Sequence, residues 1–285
     1  MILNRIFRIL ILLVGIFWIW SCSSAYYLEH HPNLTENILY NRVTHAEKKL
    51  NHRPANPELL LKACKLRTEY TYAFTMEEAD RLIESDYHKG KERYNKALTS
   101  FELAMDNGKK ALMILYPDLT SLTRETIKNH RFKQDDIPYL YWLAAAYGGA
   151  ISSSRGKAKW IIQLPIVGDL LEAALQVDES WQQGAIHNAL ITYSMVRTDI
   201  GGKNVEEATM HYKKSMEFSE SKDLSAQVSY AENVLVFLQK KTEFNFIINE
   251  VIKQDISASN DLELGNIVAQ NRAQWLLSRK DELFY

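Results

Sequence analysis

The sequence predicts an all-α fold, an α-solenoid of degenerate helical hairpins with about nine to eleven helices. Three observations carry this. Apolar residues recur at spacings of three and four along nearly the whole chain, and no alternating run is long enough to demand a strand. Only 11 glycines and 6 prolines punctuate the 285 residues, too few turn-formers for an all-β plan. Two separate segments also share one helical pattern, as stacked repeats do.

The chain opens with Arg5 and Arg8, followed by the apolar run ILILLVGIFWIW over residues 9–20. A positive start and an apolar stretch of this length read as a signal peptide, too short for a membrane span. Cys22 follows directly, preceded by Ser21. The arrangement resembles a bacterial lipoprotein signal, in which such a cysteine is lipidated and becomes the new N-terminus. Ile19 and Ser21 suit that pattern and the bulky Trp20 departs from it; the alternative is an uncleaved anchor. Ser23, rather than an aspartate, follows Cys22, which resembles outer-membrane sorting with the domain in the periplasm. The expected organisation is a signal over residues 1–21, a tether over 22–35 and one all-helical domain over 36–285.

The domain's elements follow in order. PELLLKACKLRTEYTYAFTMEEADRL, from residue 57, places Leu60, Ala63, Cys64, Arg67, Tyr70, Thr71 and Phe74 on one face. A second helix carries Tyr94, Ala97, Leu98, Phe101 and Ala104 and on to Leu115, and Pro117 stops it. The third, DDIPYLYWLAAAYGGAI, has Asp135 and Asp136 as capping candidates and Pro138 in its first turn. Its Ala145, Gly148 and Gly149 predict close approach of a neighbouring helix. Further helices are expected over PIVGDLLEAALQV, GAIHNALITYSMV, NVEEATMHYKKSMEFS, SAQVSYAENVLVFLQ and TEFNFIINEVIKQD. The last, ending in WLLSRKDELF, has Asn260 or Asp261 as its cap candidate.

Residues 170–181 and 206–221 both read as the second helix of a tetratricopeptide-like hairpin. Ala208, Tyr212 and Ser215 hold the expected spacings, and Gly184, Ala185 and Ala189 supply the small positions of a first helix.

Composition narrows the function. With 34 basic against 35 acidic residues and no long single-sign block, no footprint for nucleic acid is present. Eight histidines show no zincin spacing, although His187 and His211 fall on successive helices of one hairpin and can approach each other. No nucleophile elbow occurs, and Cys64 reads as a small core residue. YGGAISSSRGK lacks the Walker loop's spacing and the strand that must precede it. No catalytic residue, metal site or cofactor is expected. Aromatic residues are abundant, and Tyr139, Trp142, Tyr147, Trp160 and Trp181 cluster in the central third; Trp142, Tyr147 and Trp181 are the candidates to face a ligand or partner.

In combination, DIPYLYWLAAAYGGAISSS, LPIVGDLLEAALQVDESWQQGAIHNALITYSMV, GGKNVEEATMHYKKSMEFS and LELGNIVAQNRAQWLLSRKDELF resemble the T-component family of TRAP transporters. The insert RGKAKWIIQ is a departure. The resemblance implies a tetratricopeptide-like periplasmic lipoprotein that forms homotrimers with a passage through each subunit. It implies pairing with a TRAP-type periplasmic solute-binding protein, the P-component, and delivery or sequestration of an apolar organic ligand. It implies no enzyme activity. The alternative is a general tetratricopeptide-like lipoprotein scaffold for envelope assembly.

Overall fold

The computed structural model describes residues 32–119, 121–256 and 262–285. Cys22, the signal segment, His30, His31 and the cap candidates Asn260 and Asp261 lie outside the described residues. Among those described there is no strand, and twelve α-helices run to six residues or more.

Helix α1 spans Pro32–His52, so its first turn falls within the segment read from the sequence as tether. α2, Pro57–Tyr70, starts where Asn56 accepts the Leu59 N–H at 2.8 Å and Pro57 occupies the first turn. A π-helical stretch, Thr71–Met76, joins it without a break to α3, Glu77–Ser85. Asp86 then caps α4, Tyr87–Leu115, by accepting the Lys89 N–H at 3.1 Å, and the chain leaves α4 just before Pro117. The short α5, Arg124–Asn129, carries a Thr123/Thr126 capping box.

Next come α6, Ile137–Ser153, and the four-residue α7, Ala158–Ile161. They are followed by α8, Leu164–Val177, α9, Trp181–Val196, and α10, Asn204–Phe218. α11, Leu224–Tyr230, continues through a second π-helical stretch, Ala231–Leu235. The chain ends with α12, Lys241–Lys253, α13, Glu263–Ser278, and the short α14, Lys280–Leu283. The π stretch divides the single long helix expected from residue 57, and α5 is added, so the α-helices outnumber the nine to eleven expected.

Two local expectations are corrected. Asp136 does not cap α6 with its side chain. Its carboxylate accepts the Lys133 N–H at 2.7 Å and the Tyr116 hydroxyl, closing the turn before the helix instead. Gly184 is not a packing position within a regular helix. Gln182, Gln183 and Gly184 have φ of 44°, 58° and 86°, so the regular part of α9 begins at Ala185.

Neighbours in sequence pack on each other: α2 on α4, α4 on α6, α6 on α8, and α9 on α10. One set of helices also packs side by side, α2 on α6, α6 on α9, α9 on α11 and α11 on α13. A large core joins α2 through α9, and a second core is shared by α11, α12 and α13. Between them, Ile191, Ala208, Ala226 and Val234 form a bridging cluster. Of the two glycines of α6, Gly149 makes the close approach expected, while Gly148 meets only the Tyr72 hydroxyl at ordinary contact distance. A Cβ on Gly149 would stand 2.4 Å from the Phe101 ring, so only glycine admits α4 here.

Candidate functional site

The last helix of the side-by-side series also meets the segment that continues the first. α13 reaches back to α3 through Arg272, whose guanidinium donates to Asp80 at 2.8 Å and to Glu77 at 3.2 Å. The same guanidinium donates to Glu232, in the second π stretch, at 3.1 and 2.5 Å. Arg272 therefore ties α13 to the ends of both π stretches. It stacks 4.2 Å from the Trp275 ring, which Arg279 flanks at 4.8 Å. Arg279 also pairs with Glu84 of α3, and Arg81 donates to the Asn271 carbonyl at 3.5 Å. Phe74 packs with Ile267 and Val268 at the same junction. Burial opposes the charge on Arg272, but the bonds to Glu232 and the fields of Glu77 and Asp80 outweigh it and hold its pKa above the usual range. Burial raises Glu77, with Arg272 and Arg81 pulling the other way.

The helices of this series carry a band of aromatic residues. The Tyr72 hydroxyl donates to the Ala145 carbonyl at 3.0 Å, and its ring lies 4.8 Å from Phe101. Tyr141 contacts Trp142 at 5.1 Å and Trp181 at 5.0 Å, and Lys65 sits 5.2 Å over the Trp142 ring. Tyr72 is 40% exposed, yet desolvation lifts its hydroxyl well above the usual phenol range, with Tyr141 adding to the effect. Tyr141 is raised in the same way, by burial first and then by Asp223 and Glu69. Asp223 caps α11 by accepting the Ser225 N–H at 2.9 Å, and Asn188 donates to it at 3.2 Å.

Of the three residues expected to face a ligand or partner, Trp142 and Trp181 come together through Tyr141. Tyr147 does not join them. It is buried, and Lys109 covers its ring at 5.0 Å, in a separate cleft of about 440 Å³ with Met105, Lys159 and Trp160. Tyr139 is also buried, so the five central aromatics do not form one group. Tyr72, Tyr141 and Arg272 were not singled out in the sequence. Tyr141 stood beside Trp142 in YLYW, but nothing local marked the contacts that only tertiary packing creates.

His187 and His211 meet, their Nδ1 atoms 2.8 Å apart and both side chains buried. Phe218 stacks on His187 at 5.7 Å, and Glu179 approaches His187 Nε2 at 3.5 Å. Burial lowers both pKa values. His211 falls to about 4, with the His187 and Arg197 charges contributing, while Glu179 partly offsets the shift of His187. Among the described residues no group of three or more His, Cys, Asp or Glu is placed to hold a metal ion. Cys64 is buried and its thiol is pushed up to about 12 by desolvation, far from a reactive thiolate.

These features define an all-helical protein whose side-by-side helices carry a band of aromatic residues. The family model of the TRAP transporter T-component matches residues 30–284. The chain belongs to the TRAP transporter T-component family, which makes it an accessory component of a TRAP transport system associated with the bacterial envelope. It is also similar to an uncharacterised protein of Treponema pallidum (strain Nichols), 22% identical over 240 residues, covering 81% of this chain and 73% of that protein.

Proposed function

We propose that this chain is a lipid-anchored periplasmic accessory protein that docks a TRAP-type solute-binding protein and passes or sequesters an apolar organic ligand along the interior of its helical ring. The return of α13 to α3 carries this reading, because it brings the last helix of the series back beside the segment that continues α2. Tyr72, Tyr141, Trp142 and Trp181 suit an apolar ligand. Lipidation at Cys22 would hold the domain at the membrane within reach of a short tether, Ser23 after it suits outer-membrane placement, and the family resemblance adds a homotrimer.

The test is affinity capture of the tagged chain from its native envelope. Recovery of a periplasmic solute-binding protein supports the reading. Recovery of outer-membrane assembly factors without such a receptor replaces it with the general scaffold.

A further inference from the structure

The turn that follows α6 serves none of the roles above. Arg155 and Gly156 have φ of 52° and 88°, a left-handed end to the helix that turns the chain outward. The turn then displays Lys157 and Lys159, both exposed, and after them Ile161 and Ile162, which are 49% and 71% exposed. Two adjacent isoleucines left in water beside lysines are an unusual use of surface.

The segment is held in place rather than loose. Trp160, only 7% exposed, is buried beneath it and lines the cleft with Met105 and Tyr147. Arg155 stacks over Tyr94 at 4.7 Å, and Lys159 lies 5.2 Å over the Trp160 ring. Residues 158–177 together are apolar enough to cross a membrane, yet they do not form a span. Asp169 within them is buried and paired with Arg124 and Lys128, and Leu170, Leu171 and Ala174 belong to the core. Only the beginning of the stretch is free to meet something apolar.

Charge indicates what that is. No acidic residue occurs between Asp136 and Asp169, and three cations fall within residues 155–159. The acids facing the turn from α4 are Glu102, 3.9 Å from Lys159, and Asp106 in the adjoining cleft; Lys157 faces neither. Cations flanking exposed apolar side chains over a buried tryptophan match an anionic bilayer surface, where lysines meet headgroups and isoleucines enter the boundary.

We propose that the turn from Arg155 to Ile162 is a membrane-contact element that seats on anionic lipid, orienting the domain on the bilayer. The proposal rests on the tethered reading above, since the tether keeps the turn near a surface.

The test uses the full, lipidated chain in vesicles, with an environment-sensitive fluorophore on an Ile162→Cys variant. The wild-type chain taken through the same labelling is the blank, because Cys64 is buried. Vesicles containing phosphatidylglycerol should give a blue shift and quenching by bromine-labelled acyl chains, and high salt should reverse both. Lys157→Gln and Lys159→Gln should each weaken the contact about fivefold. A fluorophore on Phe246→Cys, exposed on α12, should stay in water. Emission at 162 that remains aqueous while the protein floats with the vesicles overturns the contact and leaves the tether standing. Failure to float removes both. An equal shift in purely zwitterionic vesicles, an equal shift at position 246, or crosslinking from 162 to a protein partner without lipid also overturns the proposal.

Discussion

At the scale of single residues, the buried histidine pair makes a definite statement about pH. His211 has its pKa lowered to about 4, against an ordinary value near 6.5, and His187 is lowered as well. Between those pH values the unfolded chain binds protons that the folded chain refuses, so stability falls as pH falls from 6.5 toward 4. One such group gives a slope of up to about 1.4 kcal/mol per pH unit. Urea unfolding at several pH values should show this fall, and His211→Gln should flatten it. Gly149 supports a second prediction. Gly149→Ala places a methyl against the buried Phe101 ring, and despite alanine's better helix propensity it should cost about 1–2 kcal/mol in urea unfolding. The need for small residues at Ala145, Gly148 and Gly149 was legible because glycines in a helix demand a reason. Their partner was not, because Phe101 lies a whole helix away.

At the scale of elements, the periodic helices were legible and their interruptions were not. A π stretch such as Thr71–Met76 keeps helical composition, so no residue in TYAFTM marks it. The left-handed run Gln182–Gly184 is equally hidden, because glutamine has no preference for that conformation. It is tolerated where Gly184 lets the chain press on α10: a Cβ there would lie 3.1 Å from Ser215 Cα. Arg272 was invisible for a different reason, since its carboxylate partners Glu77 and Asp80 are almost two hundred positions away. With a side chain only 16% exposed, Arg272 holds three acidic groups at once. Arg272→Ala should therefore destabilise the fold by about 3–5 kcal/mol, chiefly by leaving carboxylates unpaired. Thermal and urea unfolding measure it. Arg272→Met together with Glu232→Gln should recover part of the loss, because fewer buried charges then stand alone.

At the scale of the whole molecule, closure changes how the protein should open. A linear stack of helical hairpins contacts only its neighbours, so its last repeat can fray without disturbing the first. Here α13 is bound to α3 as well as to α11 and α12, so fraying at the C-terminal end must also break the Arg272 and Arg279 pairs. The two ends should thus share one opening free energy. Hydrogen exchange offers the measurement. In the wild type, amides of α3 and α13 should reach similar protection and lose it together as urea is added. In Arg272→Ala, α13 and α12 should exchange earlier, while α6 and α9, within the large core, keep their protection. Unchanged protection in α13 would mean that the apolar contact of Phe74 with Ile267 and Val268 suffices to close the ring. Loss spread evenly over every helix would mean that closure is not a separable step, and that the α13–α3 contact forms only with the whole fold.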